Sequence, residues 1–283
     1  MDKKICKMVT DRLVAEMEKG IIPWNKPWHG SAGAISHTTG KPYSLLNQFI
    51  LMRTGEYITF NQCKAEGGKV KKGAKGLPVV FWKQFKITET DSETGEQIEK
   101  LIPLLKYYTV FHIDDCEGIK PKWDCEADRP HADPIKEAEA IVNKYENREG
   151  IRIDRYDITD RAYYSPSRDY ISVPCIDQYT ETAEYYSTLF HEMTHSTGHT
   201  SRLNRFTGTA ANAAFGSEEY SKEELIAEIG AASLVNYCGI ENTQSFRNSA
   251  AYLQSWIKAL KNDPTMIIAA AGKAEKAFNY IVG

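Results

Sequence analysis

A chain of 283 residues, 42% hydrophobic and 26% charged, is long enough for two domains and is composed like an ordinary globular protein. No charged-then-apolar leader opens it, no apolar run approaches a membrane span, and six scattered cysteines without a CxxC pair argue against a disulfide framework or a cysteine metal site, so a cytoplasmic location is expected. The net charge of −3 hides a division: residues 1–86 carry 15 Lys and Arg against 6 Asp and Glu, and the rest carries 20 against 32, which points to a nucleic-acid partner for the basic part.

Residues 3–19 are predicted to form an amphipathic helix, with Ile5, Met8, Val9, Leu13 and Met17 on one stripe and Gly20 as its stop. In Pro23-Trp24-Asn25-Lys26-Pro27-Trp28 two prolines stiffen a segment with two indoles around a lysine. Rigid aromatics of this kind stack on unpaired bases; the competing reading is that the indoles are core. Thr39-Gly40-Lys41-Pro42-Tyr43 reads as a turn, followed by helices from Ser44 and from Thr59.

Lys69-Val70-Lys71-Lys72-Gly73-Ala74-Lys75-Gly76 is the densest basic patch. Its glycines let backbone approach a phosphate and its lysines add charge without reading bases, while the absence of Walker A spacing excludes a nucleotide P-loop. Strands over Pro78–Thr88 and Leu101–Ile113 read as a long-looped hairpin. Phe81, Lys83 and Phe85 fall on one face and Trp82, Gln84 and Lys86 on the other, so one face is expected to be core and the other a stacking platform. The candidate nucleic-acid contacts are Trp24, Lys26, Trp28, Lys41, Tyr43, Lys69, Lys71, Lys72, Lys75, Trp82 and Lys83.

Asp114 to Pro134 has no hydrophobic period and reads as a linker, which divides the chain into residues 1–120, a linker at 121–134, and 135–283. A helix from Pro134, a strand from Ile151 and a hairpin over Tyr163–Pro174 follow. The second hairpin strand ends at a proline, as an edge strand would, and an edge beside a catalytic centre can pair with an extended peptide. Tyr164 is a candidate to donate its hydroxyl to an oxyanion, with a packed tyrosine as the alternative.

The segment from Thr180 to Thr197 contains His191-Glu192-Met193-Thr194-His195 with no Gly or Pro, and Gly198 supplies the stop. On a helix the two histidines project from one face one turn apart, so they can share a metal ion while Glu192 serves as general base. Zn2+ is the expected ion, one per chain, with Mn2+ or another divalent ion as an alternative.

A catalytic site needs a third protein ligand. His199 echoes the metzincin pattern only as far as Gly198, because the third histidine of that pattern falls where Ser201 stands. In Glu223-Glu224-Leu225-Ile226-Ala227-Glu228 the glutamates at 224 and 228 share a helix face: Glu224 is the expected ligand and Glu228 the carboxylate that orients an imidazole, with the reverse as fallback. Ser221-x-x-Glu224 is also a capping box, which would use Glu224 structurally. The last two helices, about Thr243–Lys261 and Thr265–Ile281, are expected to be structural cover, with Trp256 and Tyr280 in the core.

With these residues in hand, residues 8–119 resemble the N-terminal single-stranded-DNA-binding domain of the ArdC antirestriction proteins, also found in the TraC-type primases of conjugative plasmids. The matching landmarks are Thr10-Asp11-Arg12, the PWxKPW of Pro23 to Trp28, Thr39-Gly40-Lys41-Pro42-Tyr43, Gly67-Gly68, Val70-Lys71-Lys72-Gly73 and Val80-Phe81-Trp82-Lys83. His37-Thr38 departs from the asparagine more usual before that turn.

The C-terminal half is similar to the zincin domain of the same proteins through Leu189-Phe190-His191-Glu192, His195-Ser196-Thr197-Gly198-His199, Arg202-Leu203-Asn204-Arg205 and Glu223-Glu224-Leu225. Glu224-Leu225-Ile226-Ala227-Glu228 also resembles the glutamate helix of gluzincins and ImmA/IrrE-like peptidases, in which the first glutamate binds zinc. The resemblance implies an α+β protein of a mobile element with a DNA-binding domain and a zincin-like metallopeptidase domain, which protects entering DNA from restriction. The alternative is a single-strand-binding protein whose metal site is structural or regulatory.

Overall fold

The structure is a computed structural model and describes residues 1–25, 33–90, 97–125, 133–156, 158–206, 218–240 and 245–283. Helix α1 (Lys3–Met17) begins where the Asp2 carboxylate accepts from the amides of Lys4 and Ile5, and it buries the predicted stripe of Ile5, Val9, Leu13 and Met17. Then come β1 (Ala34–Ser36), α2 (Leu45–Leu51), β2 (Gly55–Thr59), α3 (Phe60–Ala65), β3 (Lys69–Val70), β4 (Leu77–Thr90), β5 (Gln97–His112) and β6 (Cys116–Glu117). A capping box between Thr59 and Gln62 starts α3. The main sheet has the order β1-β2-β5-β4, with β1 and β2 parallel and the other pairs antiparallel, and β3 pairs with β6.

The second half contains α4 (Pro134–Glu149), β7 (Arg152–Asp154), β8 (Tyr163–Ser165), β9 (Tyr170–Ser172), α5 (Thr182–Ser196), α6 (Glu218–Tyr237), α7 (Ser245–Asn262) and α8 (Met266–Val282). Its sheet has the order β7-β9-β8. The second hairpin strand, β9, is therefore central despite the proline after it, and the first strand, β8, is an edge. The α+β class expected from the sequence is the class observed. No helix among the described residues is long and apolar enough to cross a membrane.

The two halves do not keep separate cores. Leu13 of α1, Phe49 of α2 and Trp24 join Ile226 and Ile229 of α6, Leu260 of α7 and Ile267 and Ala271 of α8 in one apolar cluster. A second cluster lies between α4, the β7-β9-β8 sheet, α5, α6 and α8. Helix α8 can serve both because Ile267, Ile268, Ala270, Ala271, Ala274, Ala277 and Ile281 wrap around more than one stripe. Polar contacts reinforce the junction: Thr10 Oγ1 donates to the Pro264 carbonyl at 2.8 Å, and the Leu45 amide at the start of α2 donates to Glu275 of α8 at 2.9 Å. The last two helices are thus the joint between the halves, where the sequence suggested cover. Trp256 is core as expected, whereas Tyr280 is half-buried with its hydroxyl on Glu149.

The segment expected to be a linker is partly built into the N-terminal half. The amides of Lys122 and Trp123 both donate to Glu56 Oε1 at 2.8 Å, and Trp123 Nε1 donates to the His37 carbonyl at 2.9 Å. A Cβ at Gly40 would lie 2.8 Å from the Trp123 indole, so the TGKPY turn needs its glycine for that ring to seat. His37 is fully buried between Glu56 (2.5 Å) and Glu66 (3.0 Å), a charge-assisted clamp that holds the turn from below. Residues 126–132 lie outside the described ones.

Candidate metal centre and nucleic-acid surface

Helix α5 buries Ala183, Tyr186, Leu189, Phe190 and Met193, which turns His191 and His195 toward α6. Their Nε2 atoms are 3.1 Å apart. Glu224 closes the triangle, with Oε1 3.4 Å from His195 Nε2 and Oε2 3.5 Å from His191 Nε2. One ligand atom from each of the three lies within 4.8 Å of the others, the one such group of potential metal ligands among the described residues. Two imidazole nitrogens and a carboxylate oxygen on one point fit a divalent ion, and no fourth His, Cys, Asp or Glu among the described residues joins them.

A close helix crossing makes this possible. A Cβ at Gly230 of α6 would meet Thr194 Cγ2 of α5 at 2.5 Å, so only glycine lets the helices approach to the distance at which Glu224 reaches both rings. Helix α6 starts at Glu218, which puts Ser221 and Glu224 inside the helix and removes the capping-box reading.

Both imidazoles turn their other nitrogen to a carboxylate. His191 Nδ1 lies 3.8 Å from Glu228, the residue assigned this job from sequence. His195 Nδ1 lies 3.4 Å from Glu223, which the sequence reading missed. Glu223 is held by Arg205 through contacts of 2.7 and 3.1 Å, and Arg205 also donates to the Thr194 carbonyl at the end of α5. The readable signal was the Arg202-Leu203-Asn204-Arg205 segment directly after a helix whose last carbonyls need donors.

Burial disfavours the charged form of His195, but the Glu223 and Glu224 carboxylates outweigh it and push the ring up to about 10. His191 is likewise raised against burial, by Glu224. Burial pushes Glu224 up, yet the two histidines hold it well below the usual carboxylate range. The cluster therefore takes up positive charge, as protons or as a cation.

His191, Glu192, His195 and Glu224 line a cavity of about 660 Å³ with Tyr163 and Tyr164 of the β8 edge. Glu192 is 8% exposed, beside the imidazoles and open to this cavity. Tyr164 does not present a free hydroxyl there. Its one proton goes to Asp169 at 2.8 Å, and Arg202 grips the same carboxylate, so the oxyanion role assigned from sequence is corrected to a packing role against Phe206. His199 bonds Ser201 and is not among the three. Residues 207–217, expected to line the cleft, lie outside the described residues.

The DNA candidates separate. Trp24 is 2% exposed and packs on Phe49, so it is core and not a stacking platform. Lys26 and Trp28 lie outside the described residues. Lys41 is exposed on the TGKPY turn and Tyr43 is half-buried beside Tyr57. Lys69, Lys72 and Lys75 are exposed, as is Lys71, whose ammonium also donates to the Asp114 carbonyl at 2.7 Å. The β4–β5 arm differs from expectation, because both of its faces carry exposed rings: Trp82 is 48% exposed on one face, although its cross-strand partner Leu105 is buried, and Phe81 is 40% exposed on the other, beside Tyr108. Lys83 sits 5.2 Å over the Phe85 ring.

Comparison with known proteins decides the family. Residues 3–111 match the N-terminal domain of anti-restriction factor ArdC, and residues 136–273 match a zincin-like metallopeptidase. Over 99% of its length and 97% of the other chain, the fold superposes on the antirestriction ArdC protein of plasmid R388. The TM-score is 0.70 against its metal-free crystal structure and 0.73 against its Mn(II)-bound one, at 37% and 36% identity. The chain belongs to the ArdC antirestriction family.

Some relatives carry the similar sequence inside much longer chains. Two DNA primases TraC of Escherichia coli are 35% and 34% identical over 99% of this chain, which spans only 27% and 20% of their lengths. The uncharacterized protein y4eC of Sinorhizobium fredii is 28% identical over 98% of this chain and 91% of its own. The ArdC relationship thus covers both the basic N-terminal half and the half with the histidines.

Proposed function

We propose that this ArdC-family chain is a cytoplasmic antirestriction protein of a mobile element that binds single-stranded DNA without sequence preference and hydrolyses a peptide bond at His191, His195 and Glu224. The observation that carries the peptidase reading is the convergence of those three side chains on one point beside Glu192, in a cavity bordered by β8, an edge strand among the described residues. A divalent ion at this site, zinc as the first choice and manganese as the second, would supply Lewis acidity toward a carbonyl and acidify water. The chain's own part is to orient and to move protons. Glu223 and Glu228 fix the ring orientations, Glu192 takes a proton from the attacking water and returns it to the leaving amine, and β8 aligns an extended peptide.

The DNA reading rests on the exposed lysines and aromatics of the N-terminal half, whose charges meet phosphates and whose rings stack on bases. A purely structural ion is disfavoured, because the R388 relative is described in a metal-free form as well as with Mn(II), and because a structural site has no use for Glu192. The test is a restriction challenge in cells receiving unmodified DNA, with wild type and Glu192→Ala compared, alongside proteomics of both strains. Protection and a cleaved host protein that both vanish with Glu192→Ala support the reading. Full protection by Glu192→Ala with no cleavage difference assigns protection to DNA coating alone.

A further inference from the structure

Helix α8 faces the N-terminal half across a second cavity, of about 740 Å³, that borders the edge strand β4 and is lined there by Trp82 from one face of the arm, Phe81 and Tyr108 from the other, and Tyr43. On the α8 side the floor is Ala269 and Gly272, and a Cβ at Gly272 would meet nothing within 4 Å, so the helix leaves this space open. Lys273 and Lys276 stand on the same face, both exposed and neither in an ion pair with any described residue. The acid between them, Glu275, is occupied by the Leu45 amide. A cavity with aromatic rings around the β4 edge on one side and ammonium groups free of ion pairs with described residues on the other complements a strand whose bases are unstacked and whose backbone is anionic. Lys273 also lines the metal cavity, so the two spaces meet at its side chain.

We infer that the cleft between the β4–β5 arm and α8 seats the bases of a DNA single strand, with Lys273 and Lys276 on its phosphates. The DNA site then belongs to both halves of the chain and opens at Lys273 toward the metal centre. This rests on the DNA reading above and assigns it a second wall that neither the basic patch nor the N-terminal aromatics supply. It also gives the shared core around α8 a purpose beyond packing, since the wall must be held at fixed distance from the arm.

The test measures binding of a fluorescein-labelled oligo-dT strand to the full chain by anisotropy across a salt series. Four variants are compared with wild type: Lys273→Glu with Lys276→Glu, Gly272→Leu, Lys69→Glu with Lys75→Glu, and Lys258→Glu as a control on the exposed surface of α7. The α8 charge reversal is expected to weaken binding about tenfold and to flatten the log–log salt slope by about 1.4, or 0.7 for each of two phosphates. Gly272→Leu, whose Cβ would meet nothing within 4 Å and which removes a poor helix former, is expected to weaken binding while the melting temperature stays level or rises. Lys258→Glu is expected to bind as wild type does. If both α8 variants bind like wild type while the Lys69/Lys75 variant binds weakly, the composite cleft is overturned and DNA binding stays with the N-terminal half. If wild type itself ignores the strand, both readings fall.

Discussion

His195 turns Nδ1 to Glu223, 3.4 Å away, while its Nε2 points at Glu224, so two neighbouring glutamates of one helix grip opposite edges of one ring. An imidazole held this way is fixed in tautomer and rotation before any ion arrives. Glu223→Ala is therefore expected to lower metal affinity about 10- to 100-fold while leaving the helices in place. Equilibrium dialysis against zinc and manganese reads it; an unchanged affinity would make the Arg205–Glu223 pair merely structural.

Glu224→Ala should bring metal content close to zero, whereas Glu228→Ala should retain near one equivalent at weaker affinity, because Glu228 reaches only the Nδ1 side of His191. Metal analysis after desalting separates these cases. Retention by the first variant and loss by the second would exchange the two roles.

Gly230→Ala is expected to cost about 1–3 kcal/mol and to weaken metal binding together with stability, since its Cβ would strike Thr194 and push α6 away from α5. Calorimetry with and without metal tests this. A variant destabilised but binding metal normally would show that the helix spacing has slack.

Burial works against the Asp169 carboxylate, but Arg202 and Tyr164 donate to it and hold it below its ordinary value. A depressed folded-state value contributes stability that is present above the unfolded carboxylate range and is lost as pH falls through the folded value, below about pH 4. Asp169→Asn, which suits the left-handed backbone there (φ 46°), should lose roughly 3 kcal/mol at neutral pH because Arg202 is left without its partner. The gap between the melting temperatures of wild type and variant should narrow below that pH; a constant gap would remove the ion pair as its cause.

The two tryptophans separate packing from recognition. Trp82→Ala should weaken single-strand binding by about 1–3 kcal/mol with little change in stability. Trp24→Ala should instead destabilise the chain by about 3–5 kcal/mol, as removal of a core indole does.

Much of the site was legible because it is local. Four-residue spacing on one helix places His191 and His195 together whatever the rest of the chain does, and a second helix with acids at 224 and 228 offers carboxylates on one face. The capping of α3 by Thr59 and Gln62 and the stripe on α1 were equally readable, since each depends on residues within a few positions. Tertiary structure alone decided which acid faces which nitrogen, because Glu223, Glu224 and Glu228 become distinct only once Gly230 fixes how α6 crosses α5. It also decided that Trp24 is core, that β9 is central while β8 lies at an edge, and that α8 joins the halves. Periodicity says that a face is buried and cannot say against what, so these outcomes turn on partners far apart in the chain.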